Sequence, residues 1–470
     1  MNFTTDVVIG LEIHVELDTN SKLFCGCKRS NDENEEPNTR VCPICLGHPG
    51  SKPSLNKKSI SHAIKLALAT NSEIASELVF SRKSYFYPDL AKNYQISQFE
   101  MPLAQKGSIE LSTGKSINLT RIHMEEDPAA LVHPNGMGKY VLIDYNRSGD
   151  PLVEIVTEPE LGSPSEARDF MKQLITLLKY LKIFDIKTCI IKADANISIK
   201  ESNYTRAEVK NITGFKEIEK AIEYEVQRQK QAVKEGQHLV QETRGWDPVN
   251  GITKTLRKKE TEDDYGYIIE PDLVITDITD DWVEKLRQSM PELPREKEAR
   301  YVSEYKLDKT DAKIIASTYE LAEYFENIIK KVSPQLSARW LRRELTRVMN
   351  YNKLEFSDLK ITPEHMKDLL ELIENKKITE NVGQKILEKL SVELFSVKDY
   401  VKKEGLEAVS DTSQLETYCK EAIEASPNAV EDYKNGNEKA LNYIVGQVMK
   451  KSRGAASPHE VMHIIKKLLS

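Results

Sequence analysis

The run VVIGLEIHVEL (residues 7–17) alternates in a way that decides the fold. Side chains along a β-strand point to opposite faces with a period of two, so Glu12, His14 and Glu16 share one face and Ile13 and Val15 the other. The same arithmetic applies to KADANISIK (192–200), where Asp194, Asn196 and Ser198 oppose Ala195, Ile197 and Ile199. After a turn at Ser202-Asn203, TRAEVKNI (205–212) aligns Arg206, Glu208 and Lys210. Three strands therefore present polar faces loaded with carboxylates. An antiparallel sheet with one wet side gives the same alternation. Several carboxylates gathered with a histidine, however, repel one another unless cations or basic groups sit among them. This favours a magnesium or manganese site, since oxygen-rich clusters suit hard divalent ions. Further acids recur in HMEED (Glu125, Glu126, Asp127) and LVEIVTEP (Glu154, Glu158).

Outward from these strands, residues 1 to about 290 read as short alternating segments punctuated by Gly, Pro, Asn and Asp, with a few helices. SIELSTGKSINLTRIHM (108–124) predicts a hairpin turning at Thr113-Gly114. The first long helix is expected at Ser163, with Pro164 at its first position and Glu166 completing a capping box, and a second over about 216–236. After PELPREK (291–297) helical periodicity takes over. A further shift follows KKEG (402–405). The expected layout is α+β: a sheet-based domain over 1–290, an all-α domain over 291–405 and a small all-α tail over 406–470.

The chain has 470 residues, 39% hydrophobic and 30% charged, which is globular and long enough for about three domains. No stretch of about twenty apolar residues occurs, and the N-terminus has neither the basic nor the apolar segment of a secretion signal. An intracellular, cytoplasmic protein without membrane contact is expected. The formal net charge of −7 argues against coating nucleic acid by bulk charge and leaves only local basic patches for RNA. Of the six cysteines, Cys25, Cys27, Cys42 and Cys45 form two close pairs across a short polar loop, while Cys189 and Cys419 stand alone. Two such pairs can close one tetrahedral thiolate site, so a structural zinc knot over 25–45 is the expectation. Four reduced thiols that merely pack are the alternative.

Carboxylates holding a metal on a sheet, with Arg and Lys interleaved, are what phosphoryl transfer from ATP requires. There is no G-x-x-x-x-G-K-[ST] motif, and NGMGK (135–139) reads as a hairpin turn. SRKSYFYPDLAKNYQISQFE (81–100) is basic and aromatic; it could line a nucleotide pocket or contribute rings to the core. No Ser/His/Asp set or catalytic cysteine emerges.

The runs VIGLEIHVEL (8–17), RKSYFYPDLAKNYQISQFE (82–100), RIHMEEDPA (121–129), IDYNRSGDPLVEIVTEPEL (143–161), KADANISI (192–199), AEVKNITGF (207–215), EDDYGYIIEPDL (262–273) and GNEKALNYIVGQVMKKSRGAASP (436–458) resemble the B subunit of the tRNA-dependent amidotransferases, the GatB/GatE family. The resemblance covers essentially the whole chain. It implies a carbon-nitrogen ligase that uses ATP and Mg2+ to phosphorylate the side-chain carboxylate of Asp-tRNA(Asn) or Glu-tRNA(Gln). Ammonia from an amidase partner, the A subunit, then displaces the phosphate, and the heterotrimer is completed by a small C subunit. It also implies a catalytic cradle related to glutamine synthetase.

Carried over by motif, Glu12, His14, Glu125 and Glu208 resemble the magnesium ligands, with Asp194 in the same cluster. Lys83, Tyr87 and Lys210 would lie near nucleotide or phosphate, together with Asn196 and Arg206, and Arg147 and Ser148 near the aminoacyl end. The helical segments resemble the family's tRNA-binding elements. Lys439, Lys450, Lys451, Arg453, Lys466 and Lys467 outnumber Glu438 and Glu460 there, which suits phosphate contact, although a solvated helix face would look the same. The cysteine knot is not present in every member. The family's E-type members share the cradle but carry a large synthetase-like insertion for which EPDL and the following helices leave no room. A rival from another class is a zinc-containing tRNA-binding protein without chemistry, which would leave the acidic faces unexplained.

Overall fold

A computed structural model describes residues 5–29, 35–134, 140–258, 266–354, 356–407, 412–452 and 455–469. The chain divides into two compact units, Met1–Leu293 and Pro294–Ser470. The first is α+β and is organised by a nine-stranded sheet. In chain order its strands are β1 (Val7–Glu16), β2 (Glu73–Ile74), β3 (Ala104–Glu110), β4 (Ser116–Glu126), β5 (Pro151–Thr157), β6 (Ile191–Ile199), β7 (Ala207–Thr213), β8 (Glu242–Asp247) and β9 (Ile252–Lys258). Their spatial order is β9-β8-β7-β6-β1-β5-β4-β3-β2.

The VVIGLEIHVEL strand is thus near the centre, between β5 and β6, and both neighbours run antiparallel to it. An antiparallel sheet was expected throughout, and one pair departs from this: β8 runs parallel to β7. The long helix Phe215–Lys234 lies between these two strands in sequence, and a crossover of that kind returns the chain in the same direction.

The apolar face of β1 supplies Ile9, Leu11, Ile13 and Val15, all at or near zero exposure, to a core completed by Ile122, Met124, Val153, Ile155, Ala193 and Ala195 from neighbouring strands. Truncating one of these leaves a cavity in a close-packed interior. Ile13→Ala is expected to destabilise the first unit by about 3 kcal/mol, read as a lower urea midpoint at unchanged slope.

A helix precedes the one expected first. It is α1 (Lys57–Ala69), capped by Asn56, whose side chain accepts from the backbone N–H groups of Lys58 and Ser59. Its Ile60, Ala63, Ile64, Ala67 and Leu68 bury on the sheet. On that face His62 is also buried, and its Nε2 lies 3.2 Å from the Asp18 carbonyl oxygen. Burial, assisted by Lys58, lowers its pKa to about 4. A histidine depressed in the fold binds fewer protons there than in the unfolded chain, so its contribution is complete above pH 6.5 and lost as pH falls toward 4. The loss should approach about 3 kcal/mol, and His62→Leu should flatten the dependence of the urea midpoint between pH 6.5 and 4.

The helix at Ser163 follows expectation as α2 (Pro164–Tyr180), with Ser163 accepting from the Glu166 N–H and Pro164 in the first turn. Glu166 does not close a box on its own cap residue; its carboxylate accepts from the Gly162 N–H at 2.8 Å and pairs with Lys115. The second long helix, α3 (Phe215–Lys234), matches its expected span closely. The Thr113-Gly114 turn joins β3 to β4, with Gly114 at φ +91. NGMGK (135–139) lies outside the described residues, between the short strands Ala130–Val132 and Leu142–Asp144, which pair antiparallel.

Among the described residues the second unit contains helices and no strand. Its buried side chains form two clusters, one spanning Tyr301–Val401 around Trp340 and Phe325, the other Leu415–Ile465 around Ile444 and Val448. No helix among the described residues is long and apolar enough to cross a membrane.

Candidate active site

The register of the central strands brings the polar faces together. His14 on β1 stands opposite Glu154 on β5, and Glu154 opposite His123 on β4. On the other side Glu12 faces Asp194 on β6, and Asn196 faces Glu208 on β7. Because successive same-face residues recur every second position, five adjacent strands deliver their polar side chains to one surface.

His14 Nε2 is 3.4 Å from Glu125 Oε1 and 3.4 Å from Glu154 Oε2. His123 Nε2 is 3.2 Å from the same Glu154 oxygen. Ligand atoms of His14, Glu125 and Glu154 all lie within 4.8 Å of one another, close enough to hold one metal ion. A few ångströms along the sheet, Asn196 Nδ2 donates to Glu12 Oε1 at 2.9 Å, and Lys210 Nζ bridges Glu208 at 2.8 Å and Asp194 at 3.1 Å.

A β-bulge makes this bridge. Ala193 pairs with Ile212 and Ala195 with Val209, so Lys210 and Asn211 together oppose Asp194. Asn211 adopts φ 61, and its N–H donates to Asp194 Oδ1 at 2.8 Å. An extra residue in one strand re-aims its neighbours, and here it turns Lys210 into the carboxylate field.

The electrostatics would suit a bound cation. Burial, and then the neighbouring Glu154 and Glu208, hold the Glu12 carboxyl above its ordinary range. Burial alone would lower His14, but Glu154, Glu125 and Asp194 overcome it and raise the imidazole pKa to about 10. Lys210 is likewise raised: Asp194 and Glu208 outweigh its burial. Glu16, further along the same face, is pushed up to about 7 by burial and by Asp127. Five carboxylates (Glu12, Glu125, Glu154, Asp194, Glu208) thus confront one lysine and two histidines, an arrangement that a divalent ion would relieve.

This surface opens into a cavity of about 300 Å3 bordered by His14, Glu125 and Asp194 and, among basic groups, by Lys83, Arg147, Lys192 and Lys210. Arg147 is anchored on Asp127, its Nε 2.9 Å from Oδ2. A second cavity of about 290 Å3 borders Glu12 from the side of Gly10, Asn196, Ser198 and Arg206.

In the same unit the four cysteines Cys25, Cys27, Cys42 and Cys45 converge, their sulfurs within 4.8 Å of one another, as a cluster that could hold a metal ion. Four thiols so close cannot all ionise without a cation. A hydrogen bond from Cys25, with Lys22 nearby, lowers Cys45 to about 4, whereas the same contact and burial push Cys25 up, and burial raises Cys27 to about 11. The donor set suits a soft or borderline metal.

Residues 7–284 match the GatB/GatE catalytic domain, and residues 323–469 match the GatB domain that accompanies it. The B subunit of the aspartyl/glutamyl-tRNA(Asn/Gln) amidotransferase of Carboxydothermus hydrogenoformans is 42% identical, covering 99% of both chains. The chain belongs to the GatB/GatE family. The B subunits of the same name from a Thermoanaerobacter species and from Clostridium botulinum are also 42% identical, over 99% of this chain and 99% and 98% of theirs.

Measured against the family resemblance, the structure brings Glu12, His14, Glu125, Asp194, Glu208 and Lys210 to one sheet face. Lys83 and Arg147 border its main cavity, and Asn196 and Arg206 the second one. Two further residues named by the resemblance border neither cavity. Tyr87 is 53% exposed, and Tyr85 borders the cavity instead. Ser148 is buried toward the cysteine cluster, its hydroxyl donating to the Cys45 carbonyl at 3.5 Å.

Sequence reasoning named Glu154 as an acid without assigning it to the site, and passed over His123 and Lys192. The period-two rule reaches two of them: His123 is two residues before Glu125 in its strand, and Lys192 two before Asp194. In the second unit Lys451 pairs with Glu421 at 2.7 Å, and Arg453 lies outside the described residues.

Proposed function

We propose that this chain amidates Asp-tRNA(Asn) or Glu-tRNA(Gln) within a heterotrimer that also holds an amidase, the A subunit, and a small C subunit. One observation carries the reading: buried carboxylates, two histidines and a lysine crowd one sheet face, beside a cavity bordered by further cations. The reaction begins when an oxygen of the aminoacyl side-chain carboxylate attacks the γ-phosphorus of ATP, and ADP departs. Ammonia then attacks the acyl carbon, loses a proton and expels inorganic phosphate. A carboxylate is otherwise a poor acceptor for ammonia because its leaving group would be an oxide.

His14, Glu125 and Glu154, with Glu12, Asp194 and Glu208 beside them, are the residues that would hold magnesium, which when bound offsets negative charge on the phosphates. Lys210 sits where the transferred phosphoryl oxygens would need a cation, kept protonated by Asp194 and Glu208. Lys83 and Arg147 orient the anionic groups entering the cavity, and Asn196 and Arg206 attend the nucleotide. The carboxylate-bearing sheet suits a cradle related to glutamine synthetase. The cysteine cluster takes zinc as a structural ion, and the domains over 291–405 and 406–470 contact the tRNA in the cytoplasm.

Adding Asp-tRNA(Asn) or Glu-tRNA(Gln) to the assembled complex with ATP, magnesium and glutamine should produce ADP stoichiometrically with the amidated product. ADP release that ignores the mischarged tRNA would overturn the reading. Tight tRNA binding with no ADP at all would instead favour a binding protein without chemistry.

A further inference from the structure

Lys22 plays no part in the proposed reaction, and the fold buries it completely, at 0% exposure. A buried ammonium needs hydrogen-bond acceptors and compensating charge. Its Nζ donates to the Arg40 carbonyl at 2.9 Å, two residues before Cys42, and to the Tyr145 carbonyl at 3.3 Å, at the head of the turn that carries Arg147. The same charge lies close enough to Cys45 to favour its thiolate.

The Tyr145–Asp150 turn is joined to the cysteine loop at several further points. The Leu23 N–H donates to the Gly149 carbonyl at 2.8 Å, and Asn146 Oδ1 accepts from the Arg40 N–H at 2.8 Å while its Nδ2 donates to the Glu36 carbonyl at 2.9 Å. Asn38 Oδ1 accepts from the Tyr145 N–H at 2.8 Å. Gly149 stands at φ +92, and a Cβ there would meet Lys22 Cδ at 3.5 Å and Cys45 Cβ at 3.6 Å. The turn lies flush on the cluster. At its outer end Arg147 reaches the cavity.

We infer that Lys22 is a positioning residue that fastens the Arg147 turn to the four-cysteine cluster, so that the cluster sets where the guanidinium stands in the active site. The ammonium does this by bonding two carbonyls on different segments, that of Arg40 in the cysteine loop and that of Tyr145 at the head of the turn. Loss of its charge releases the turn without removing any sulfur ligand. The consequence for substrate rests on the function proposed above, with Arg147 facing the anionic aminoacyl group.

The test combines hydrogen–deuterium exchange on the zinc-loaded full-length chain with kinetics of the assembled complex. Lys22→Met should retain one zinc per chain and raise exchange about tenfold at the amides of 145–150, while 191–199 stay protected. Its KM for the mischarged tRNA should rise about tenfold with kcat within about twofold, since substrate orientation rather than the chemical groups is altered. Should Lys22→Met fail to fold, Asn146→Ala, which deletes two of the other ties, must show the same local exchange.

Unchanged exchange at 145–150 in the folded variant would overturn the inference, as would zinc loss accompanied by exchange throughout the sheet. A complex that forms no ADP would sink the proposed reaction and leave the exchange result to decide the role of Lys22.

Discussion

Glu154→Ala should lower ADP formation by about 10^3-fold, equivalent to about 4 kcal/mol of transition-state stabilisation. Three contacts argue for so large an effect from a residue flanked by more obvious acids. Its Oε2 is approached by both His14 at 3.4 Å and His123 at 3.2 Å, and its ligand atom lies within 4.8 Å of those of His14 and Glu125. The two histidines overcome its burial and hold its carboxyl well below the ordinary range, so the group is an anion at any working pH. Removing it leaves two imidazoles without their shared counter-charge and opens one position in the proposed metal shell.

Glu154→Gln preserves volume and packing while deleting the charge, and should lose nearly as much. If the glutamine variant instead keeps turnover within about tenfold of wild type, the His14-Glu125-Glu154 group is not where the metal acts. The companion substitutions Glu12→Ala and Glu208→Ala test the neighbouring half of the face by the same assay.

How much of this was legible before coordinates differs by strand. On β1 and β6 the rule of two suffices, because both lie in the middle of the sheet and alternate without interruption. On β7 the rule places Lys210 on the correct face, but the bulge that sets it against Asp194 follows from Asn211 adopting a left-handed backbone, which the bare pattern does not announce. Glu154 lies in LVEIVTEP, where the polar-face positions on either side of it are Leu152 and Val156, so an apolar run hides an acid of the carboxylate-bearing face. His123 needed only the same rule carried two residues back from Glu125 along its strand.

The parallel pairing of β7 and β8 depends on where α3 delivers the chain, which is tertiary information. The missed helix α1 is a matter of turn chemistry: Pro53, Ser54 and Asn56 are turn-favouring residue types, yet Asn56 is the cap that starts the helix.

Zinc affinity of the four-cysteine cluster should fall by at least about 100-fold for each unit of pH lowered between 8 and 6. The sign follows from the thiols. In the metal-free chain Cys25 is pushed up by its contact with Cys45 and by burial, and Cys27 to about 11, so both carry protons throughout this range. Cys45, lowered to about 4, is already a thiolate and contributes no pH dependence here. Binding a metal to all four sulfurs therefore expels at least two protons, and an equilibrium that releases two protons shifts by two decades per pH unit.

Competition against a chromogenic chelator at pH 6, 7 and 8 measures the slope directly. A slope below two would mean that Cys25 or Cys27 is not a ligand, or that it is ionised before the metal arrives. Lys22 sharpens the expectation, because its buried ammonium favours the Cys45 thiolate and its removal should shift Cys45 upward. In Lys22→Met the slope should consequently steepen at a higher pH than in the wild type, where Cys45 joins the groups that must lose a proton.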